Sequence, residues 1–352
     1  MITDLRLQNF RLFQDDSFEL GAGINIIVGP NASGKTSLLE AVLVLAQGSS
    51  FRVASGELIK FNQPWARLDA HNGNYTHRAV KIVREPTPGK LFEIGGNNYQ
   101  RLSLAQSLPV VIFEPNHLQM FSGGPERRRD YLDDLLEQTT AGYKSLRRQY
   151  KRALAQRNRL LKQTNKASSS QLFPWDIRLS QLAGQLVRAR SGLAENINHD
   201  LPALYNQLSK SKTIVNIIYA NQWPVDVYES RLLKRLEATH HEDHLKGFTS
   251  SGPHREDLLL TFDGRPAQSV ASRGEVRTVV LALKILELKV LQAARGGQSP
   301  LLLLDDVFSE LDGKRRHALT DHLATYQTFI TTTDADIVLQ HFTAKSNVIP
   351  LG

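Results

Sequence analysis

GPNASGKT, at residues 29–36, matches the phosphate-loop pattern G-x-x-x-x-G-K-[ST] at every fixed position. The run INIIV (24–28) before it is typical of a buried strand, and KTSLLEAVLVLAQ (35–47) after it is typical of a helix. In that context the glycines allow backbone N–H groups to turn inward around phosphate oxygens, beside the positive end of a helix. The stretch therefore predicts a nucleotide-binding α/β fold.

Individual residues of this loop have separate expected roles. Lys35 would reach the β- and γ-phosphates of ATP and act in catalysis, and the Thr36 hydroxyl would ligate Mg²⁺. Contacts to ATP are expected from the loop as a whole, that is from Gly29, Pro30, Asn31, Ala32, Ser33, Gly34, Lys35 and Thr36.

A second stretch, LLLLDDVFSELD (301–312), places two aspartates directly after four leucines. A strand buried on both faces of a parallel sheet reads as continuous aliphatics, and its carboxyl end points at the ligand crevice. We expect Asp305 to hold Mg²⁺, directly or through water. Asp306 faces a different way and would orient or deprotonate the attacking water. The alternative is a helix N-cap, because LDDVFSE has cap-like spacing.

The composition narrows the class of protein further. The chain has 352 residues, a formal net charge of +8 and no cysteine. The lack of cysteine excludes a disulfide framework and a thiolate metal site, and it is typical of a reducing cytoplasm. No apolar run approaches the roughly 18 residues of a membrane span, and the charged start MITDLRLQNFRLF lacks the apolar core of a secretory signal. We expect a soluble, cytoplasmic protein without a membrane partner.

The pattern along the chain predicts an α/β head interrupted by a helical arm. The first part of the head would span residues 1–115, the arm 116–245, and the second part of the head 246–352. Within the arm, KASSSQLFP (166–174) is expected to be a loop, with a second long helix opening at Pro174. In the first part of the head we predict strands at Ile2–Leu7, Ile24–Val28, Ala79–Val83 and Leu108–Phe113, and a helix at Lys35–Gln47.

The stretch VASRGEVRTVVLALKILEL (270–288) opens with Ser-Arg-Gly-Glu and continues as an apolar helix. Ser272 and the backbone of Gly274 at a helix N-terminus form a second anion-binding surface, although a capping box has much the same pattern. The order of motifs is more specific. A phosphate loop, a long insertion, S-x-G-[QE], two aspartates after an aliphatic strand, and SELD form the layout of an ATP-binding-cassette head. In that layout the serine-glycine motif touches the γ-phosphate held by another subunit.

The chain resembles the RecF family of bacterial recombination and gap-repair ATPases, relatives of the SMC proteins, along essentially its whole length. The resemblance implies an α/β fold with an ABC-type P-loop ATPase head, a mixed sheet with flanking helices, and an inserted helical arm. It rests on LRLQNFRLF at the start, GPNASGKTSLLEA, FEPNHLQMFSGGPERRRDYLD (113–133), SGPHREDL (251–258), SRGEVRT and LLLLDDVFSELD.

Carried over position by position, the resemblance implies roles for three further groups of residues. It assigns a signature motif to Ser272, Gly274 and Glu275, the Walker B pair to Asp305 and Asp306, and a D-loop to Ser309–Asp312.

The chain departs from this pattern at several positions. The signature usually has glutamine where this chain has Glu275, which puts a negative charge near the partner's ATP. TTTDAD (331–336) offers no histidine where a transporter's switch histidine would stand. Glu114 and Gln119 both lie near the position of the Q-loop residue, and the choice between them stays open.

The arm carries a basic stripe. Between Gln138 and Trp175 there are nine basic residues and no acidic one. If residues 144–162 form one helix at about 100° per residue, an apolar side backs a basic side, and only Arg157 points away from the latter. A solvated face usually mixes signs, so the stripe predicts sequence-independent, salt-sensitive contact with DNA phosphates. The stripe consists of Lys144, Arg147, Arg148, Lys151, Arg152, Arg159 and Lys162.

Two readings of this region stay open in the sequence. A basic amphipathic helix can also lie on a membrane surface, although the apolar side here is of core type. Arg127–Arg129 could join the stripe or pair with Asp130, Asp133 and Asp134 on the same helix.

These features together predict an ATPase that binds DNA and forms a homodimer when loaded with ATP. By resemblance, its DNA would be single-strand gaps or duplex–single-strand junctions, and it would act with RecR and RecO to help RecA assemble, with slow hydrolysis as a timer. The alternatives are an ABC transporter's ATP-binding subunit, a non-hydrolysing scaffold clamped by ATP, and a defence-type ATPase with an attached nuclease. The basic arm and the missing switch histidine argue against the first, and the lack of a second carboxylate cluster argues against the third.

Overall fold

The computed structural model describes residues 1–73, 76–84, 87–163, 169–323, 325–334 and 346–352. Within them the chain divides into two units, one formed by residues 1–117 with 287–352 and the other by residues 118–286. We refer to the first as the head and to the second as the inserted unit. The α/β class predicted from the sequence is confirmed by the sheets and helices of the two units.

The secondary structure follows the chain in three stretches. The first stretch of the head contains β1 (Ile2–Phe10), β2 (Phe13–Glu19), β3 (Ile24–Val28), α1 (Lys35–Gln47), β4 (Trp65–Asn72), β5 (His77–Val83), β6 (Gly89–Ile94), β7 (Asn97–Tyr99) and β8 (Val110–Phe113). The inserted unit contains α2 (Pro125–Thr139), α3 (Tyr143–Leu161), α4 (Ser169–Ser209), β9 (Val215–Ala220), α5 (Tyr228–Ala238), α6 (His240–Lys246), β10 (Asp257–Phe262), β11 (Arg265–Pro266), α7 (Ala267–Val270) and most of α8 (Arg273–Ala294). The last stretch of the head contains β12 (Leu301–Asp305), α9 (Val307–Glu310), α10 (Gly313–Leu323), β13 (Thr328–Thr332) and β14 (Asn347–Pro350).

Two sheets form the head. Five parallel strands lie in the order β14-β3-β13-β12-β8, and the LLLL run of β12 is buried throughout, as expected for a strand covered on both faces. Six antiparallel strands lie in the order β2-β1-β4-β5-β6-β7. The strands and the helix predicted for the first part are therefore present, and the parallel and antiparallel pairings belong to two separate sheets.

Helix α1 contacts strands of both sheets, and its residues 38–46 are all buried. A helix covered on every side needs apolar residues around its whole circumference, which explains why KTSLLEAVLVLAQ has no polar face. The exception is Glu40, only 2% exposed, whose carboxylate accepts hydrogen bonds from Arg11 and Ser50. This packing fixes the N-terminus of α1, and with it the phosphate loop.

The inserted unit combines helices with a three-stranded sheet in the order β11-β10-β9. The sequence interpretation gave a helical arm up to residue 245, whereas β9 lies inside that range and pairs with β10 beyond it. This antiparallel pairing ties residues 257–262 to the inserted unit, which extends to residue 286. Because the pairing joins strands about 40 residues apart, no local periodicity signals it.

Helix α4 begins at Ser169, five residues before the predicted start, and contains Pro174. The prediction relied on the preference of proline for the first helical turn. In the structure Leu172 is fully buried against Leu161 of α3, so the apolar face of the helix extends upstream of the proline. Residues 164–168 of the predicted loop lie outside the described residues. In the part of the chain that the structure describes, no helix is long and apolar enough to cross a membrane.

A buried ion cluster joins the helices of the inserted unit. The guanidinium of Arg157 on α3 is fully buried and donates to Asp176 on α4 at 2.6 Å and to Asp243 on α6 at 2.8 Å. It also donates to the Thr249 hydroxyl at 2.9 Å, and His240 bonds the second oxygen of Asp176 at 2.6 Å. Because both carboxylates are removed from water, their negative charges are tolerated only while the arginine pairs with them.

We expect Arg157→Met to lower the free energy of unfolding of the inserted unit by about 3–5 kcal/mol, because Asp176 and Asp243 would remain buried without a cation. The matched control is Arg159→Met on the same helix, an exposed arginine whose loss should change the value by less than about 0.5 kcal/mol. Urea unfolding followed by tryptophan fluorescence measures both variants. Equal midpoints would show that the cluster does not stabilise the unit.

Candidate functional site

The conformation of the phosphate loop between β3 and α1 requires glycine at two positions. Gly34 has a φ of +100°, a left-handed value that side chains rarely adopt, and the ring of Phe13 lies 3.1 Å from where a Cβ would stand. A Cβ on Gly29 would lie 2.2 Å from the carbonyl oxygen of Leu351. The Ser33 hydroxyl is buried without a hydrogen-bond partner among the described residues. A loop that leaves a buried donor unused is suited to an anionic oxygen.

Lys35 lies folded along this loop. Its side chain is nearly buried, and its ammonium donates to the carbonyl oxygens of Gly29 at 2.8 Å and Pro30 at 2.9 Å. Both acceptors are neutral, so the positive charge is not cancelled by a carboxylate. The ammonium therefore remains able to pair with phosphate oxygens.

The loop and the end of β12 meet at Thr36. The Thr36 hydroxyl lies 2.9 and 3.2 Å from the two carboxylate oxygens of Asp305. Asp305 is almost fully buried and also accepts a hydrogen bond of 2.9 Å from Thr331, at the end of the intervening strand β13. The structure thus brings together the two residues predicted to ligate Mg²⁺, and it adds Thr331, which the sequence interpretation did not single out.

Arg52 is a second site residue that the sequence interpretation missed. Its guanidinium donates to Asp305 at 2.7 Å and to Glu114 at 3.2 Å. An arginine in an irregular segment after a helix carries no local signal, because its partners are 62 and 253 residues away. Of the two Q-loop candidates, Glu114 belongs to this head cluster, whereas Gln119 is exposed and belongs to the inserted unit.

Asp306 is exposed, whereas its neighbour Asp305 is buried. Asp306 has a φ of +51° and stands at the N-cap position of α9, but its side chain makes no capping hydrogen bond. Its backbone N–H donates to the Thr331 hydroxyl at 2.9 Å. Desolvation and the nearby Asp305 carboxylate raise the pKa of Asp306 above its ordinary value. A left-handed aspartate without a capping role is unusual and does not favour the N-cap interpretation.

The residues at this point fit a hard divalent cation. The donor set is a hydroxyl and a carboxylate, and Mg²⁺ prefers oxygen ligands and takes the rest of its shell from phosphates and water. No group of three or more His, Cys, Asp or Glu residues with metal-binding geometry occurs among the described residues. A site with one carboxylate and one hydroxyl is what a nucleotide-borne magnesium ion needs.

The proposed signature residues lie in the inserted unit at the start of α8. The Glu275 carboxylate accepts a hydrogen bond of 2.8 Å from the Ser272 N–H, and the Glu275 N–H donates to the Ser272 hydroxyl at 3.2 Å. This is a capping box, one of the two possibilities left open by the sequence. Ser272 and Glu275 are both exposed, and Gly274 is half-buried. The helix N-terminus is therefore capped by its own residues and accessible to solvent.

The predicted D-loop, Ser309–Asp312, runs between α9 and α10 in the head. Ser309, Glu310 and Asp312 are exposed, whereas Leu311 is buried. Asp312 accepts a hydrogen bond of 2.9 Å from the Arg315 N–H and so caps α10. The stretch presents polar side chains on a fixed backbone.

Six of the seven stripe residues are exposed, five of them on α3 and Lys162 directly after its C-terminal end. The exception is Arg147, which lies against α2 and pairs with Asp130, Asp133, Asp134 and Glu137. Its inclusion in a free basic surface is therefore wrong, because acids of a neighbouring helix neutralise it. The exposed members are Lys144, Arg148, Lys151, Arg152, Arg159 and Lys162.

Two of the three arginines of α2, Arg128 and Arg129, follow neither of the two sequence alternatives, and Arg127 is exposed. Arg128 forms a two-point ion pair with Asp257 at the start of β10, at 2.7 and 2.8 Å, and Arg129 donates to the carbonyl oxygen of Glu256 at 2.7 Å. Both hold α2 to β10, while the acids on α2 pair with Arg147 and Arg190. These contacts could not be seen in the sequence, because the partner strand follows more than 120 residues later.

The SGPHREDL stretch (251–258) supplies a buried polar network. His254 Nδ1 accepts a hydrogen bond of 2.7 Å from the Tyr150 hydroxyl, and Nε2 donates to the Thr249 carbonyl oxygen at 3.1 Å. This assignment gives the neutral tautomer. Burial lowers the pKa of His254 to about 4. The motif therefore anchors α3 from within the inserted unit.

The chain is similar over nearly its whole length to curated proteins named DNA replication and repair protein RecF. The protein from Alkaliphilus oremlandii is 31% identical over 343 residues, covering 95% of this chain and 93% of the relative. That from Heliobacterium modesticaldum is 34% identical over 347 residues, covering 94% and 92%. That from Enterococcus faecalis is 31% identical over 360 residues, covering 99% and 96%.

Solved structures show the same similarity. The recombination mediator protein RecF-ATPrS in the RecFOR pathway is 29% identical, with a TM-score of 0.85 over 95% of this chain and 92% of that chain. RecF-ATP from the same pathway has a TM-score of 0.82. An SMC head bound to the C-winged helix domain of ScpA is 15% identical with a TM-score of 0.52, and it shares the fold.

The fold, the phosphate loop and the aspartate pair define a P-loop ATPase head of the SMC-like ABC class. The model of the RecF/RecN/SMC N terminal domain family matches residues 1–348. The chain belongs to the RecF family. This assignment confirms the resemblance inferred from the motifs and leaves no support for a transporter subunit.

The network around His254 predicts a pH dependence of stability. The folded pKa of about 4 lies below the ordinary 6.5, so the unfolded chain takes up a proton first as pH falls. The contribution of neutral His254 is full above pH 6.5 and is lost towards pH 4. Relative to His254→Gln, which keeps one acceptor and one donor, the unfolding free energy of the parent should fall by about 3 kcal/mol across this window. Urea titrations between pH 7 and 4.5 measure it, and parallel curves would contradict it.

Proposed function

We propose that this protein is an ATP-dependent DNA-binding protein of recombinational repair. The observation that carries the proposal is the contact of Thr36 with Asp305, which would complete a nucleotide site in a chain of the RecF family. The relatives' names refer to DNA replication and repair, and the similar structures are described in the RecFOR pathway. DNA as the ligand would place the protein in the cytoplasm.

ATP is proposed to bind at residues 29–36. Lys35, whose charge is not paired with a carboxylate, would hold the β- and γ-phosphates, and the buried Ser33 hydroxyl would find its partner there. Thr36 and Asp305 would hold Mg²⁺, which when bound neutralises charge on the transferring phosphate. Asp306 would accept a proton from the attacking water, since its raised pKa favours proton uptake. Its short side chain suits slow turnover to ADP and phosphate.

Two subunits are proposed to associate when ATP is bound. The exposed Ser272 and the half-buried Gly274 stand at the N-terminus of α8, where N–H groups and the helix dipole favour a phosphate of the partner subunit. The D-loop, Ser309–Asp312, would lie at the same dimer contact. ATP would then act as the adhesive of the dimer, with hydrolysis as the signal for release.

DNA is proposed to bind along the six exposed stripe residues of α3. The stripe has one sign of charge, and the sequence contains no module that reads bases, so gaps and duplex–single-strand junctions would be recognised by form. RecR, RecO and RecA are the proposed partners, by analogy with the family. The test is a titration of duplex DNA at several salt concentrations, with and without ATP. A DNA affinity that changes neither with ATP nor with salt concentration would contradict the proposal.

The composite site predicts that Ser272→Arg retains ATP binding and loses ATP-induced dimerisation, because a long cation would occupy the position of the partner's phosphate. Lys35→Met is the reference variant, which should lose ATP binding itself. Equilibrium binding of a fluorescent ATP analogue and light scattering with and without ATP measure the two properties. A Ser272→Arg protein that still dimerises with ATP would rule out the composite site.

The stripe predicts a change in salt dependence. Replacing Lys144, Arg148 and Lys151 with alanine should reduce the slope of log affinity against log salt concentration by about 2 to 3, since each phosphate contact contributes about 0.9. The control changes three exposed cations elsewhere in the inserted unit, Lys212, Arg231 and Lys234, to alanine. If the two triple variants show the same slope, the stripe is not the DNA surface.

A further inference from the structure

The inserted unit contains a polar cavity on a part of the surface that none of the motifs explains. The cavity has a volume of about 590 Å³. It lies where the loop after β9, helix α5 and the segment after α6 come together. We call it the Trp223 pocket, and its lining residues are Gln222, Trp223, Arg235, Lys246, Ser250 and Ser251.

The pocket is positively charged. Arg235 and Lys246 are both exposed, and no acid is among the lining residues. Arg235 makes no ion pair with any described residue, and Lys246 makes only a long one of 3.6 Å with Glu242. Two carboxylates bond to lining residues from the interior: Asp243 is fully buried and bound to Arg157 and Ser250, and Glu256 is buried and bound to Gln222. The two cations therefore offer their charge to a ligand.

Trp223 is held in place by its own loop. Its carbonyl oxygen accepts a hydrogen bond of 2.6 Å from Asn221, and its ring packs edge to face on Tyr228 with centroids 5.5 Å apart. The Gln222 N–H donates to the buried Glu256 at 3.0 Å, and the Tyr228 hydroxyl donates to the same carboxylate at 2.6 Å. The indole is half-buried. A fixed, partly exposed aromatic ring beside two cations is suited to stacking a planar group that carries an anion.

The pocket is also close to the basic stripe. A Cβ on Gly247, the residue after Lys246, would lie 3.6 Å from the side-chain stem of Lys162, the last residue of the stripe. A polyanion that follows α3 to its C-terminal end therefore arrives beside Lys246. This continuity favours a nucleic-acid strand over an unrelated small molecule.

We propose that the Trp223 pocket binds one unpaired nucleotide of a DNA strand. The base stacks on Trp223, the phosphates pair with Arg235 and Lys246, and the side-chain amide of the exposed Gln222 bonds the base edge. A base inside a duplex is stacked on its neighbours and cannot enter, so the pocket distinguishes single strands from duplex. This inference rests on the proposed DNA binding and names the strand feature that the inserted unit recognises.

The first experiment measures, by fluorescence anisotropy, the affinity of the protein for a labelled oligonucleotide of twelve thymidines and for a labelled blunt-ended duplex. Trp223→Ala should weaken single-strand binding about tenfold, the loss expected for one base stack, and leave duplex binding unchanged. Trp223→Phe should recover part of the loss because it keeps a ring. Equal losses for both DNAs, or none for either, would overturn the inference.

The charge of the pocket is tested by a matched pair of variants. Arg235→Gln with Lys246→Gln should weaken single-strand binding more than Lys234→Gln with Lys212→Gln, which removes the same charge from exposed positions outside the pocket. If the two double variants lose the same affinity, general electrostatics explains the binding and the pocket does not.

The second experiment does not depend on altering the pocket. The chain has three tryptophans, so Trp65→Phe with Trp175→Phe leaves Trp223 as the only one. The thymidine oligonucleotide should quench its fluorescence with the same midpoint as the anisotropy change, and no quenching would overturn the inference. Free dTMP at equal nucleotide concentration should quench far less, and equal quenching would assign the pocket to a free nucleotide instead. If the parent protein does not bind duplex DNA, the proposed function is contradicted. If it binds duplex DNA but the oligonucleotide does not quench Trp223, only the inference about the pocket is contradicted.

Discussion

The hydrogen bond between Thr36 and Asp305 joins residues 269 positions apart and fixes the geometry of the proposed nucleotide site of the head. It exists because β13 lies between β3 and β12, so that both strands end at the same edge of a parallel sheet. Helix α1, buried against both sheets, holds Thr36 in place from the other side. The buried carboxylate of Asp305 is tolerated because Thr36, Thr331 and Arg52 all donate to it.

Buried carboxylates of the inserted unit also need donors, and this need decides which cations of the unit remain available to a ligand. Arg157 and Arg190 are buried among carboxylates and tyrosines, and Arg147 is enclosed by four acids, so all three serve the fold. Among the described residues, the exposed cations of α3 have no such partners apart from a weak contact between Lys144 and Glu137 at 3.8 Å. The formal net charge of +8 is therefore not a measure of the charge that DNA would meet, because only the unpaired cations can contact a phosphate.

Local patterns predicted the local parts of this structure. Strand, loop and helix around residues 24–47 follow one another in the chain, so their order can be read directly. The aspartates at the end of β12 and directly after it are equally local. The helical wheel likewise separated Arg157 from the stripe. It could not separate Arg147, because the acids that neutralise this residue lie on α2, and their approach depends on tertiary packing. Arg52, Thr331 and the β9–β10 pair were missed for the same reason, since each acts through a partner distant in the sequence.

The structure shows what Glu275 does in place of the usual glutamine, which the sequence alone did not reveal. Its carboxylate caps the Ser272 N–H, and a glutamine would accept the same hydrogen bond, so the exchange keeps the helix start and alters only its charge. The Ser272 oxygen accepts from the Glu275 N–H, which leaves the hydroxyl hydrogen able to donate outward. A phosphate approaching Ser272 would therefore gain one donor and the helix dipole, and would meet one additional negative charge at Glu275. Because that charge is exposed, solvent and salt would screen its repulsion of the phosphate in the proposed dimer.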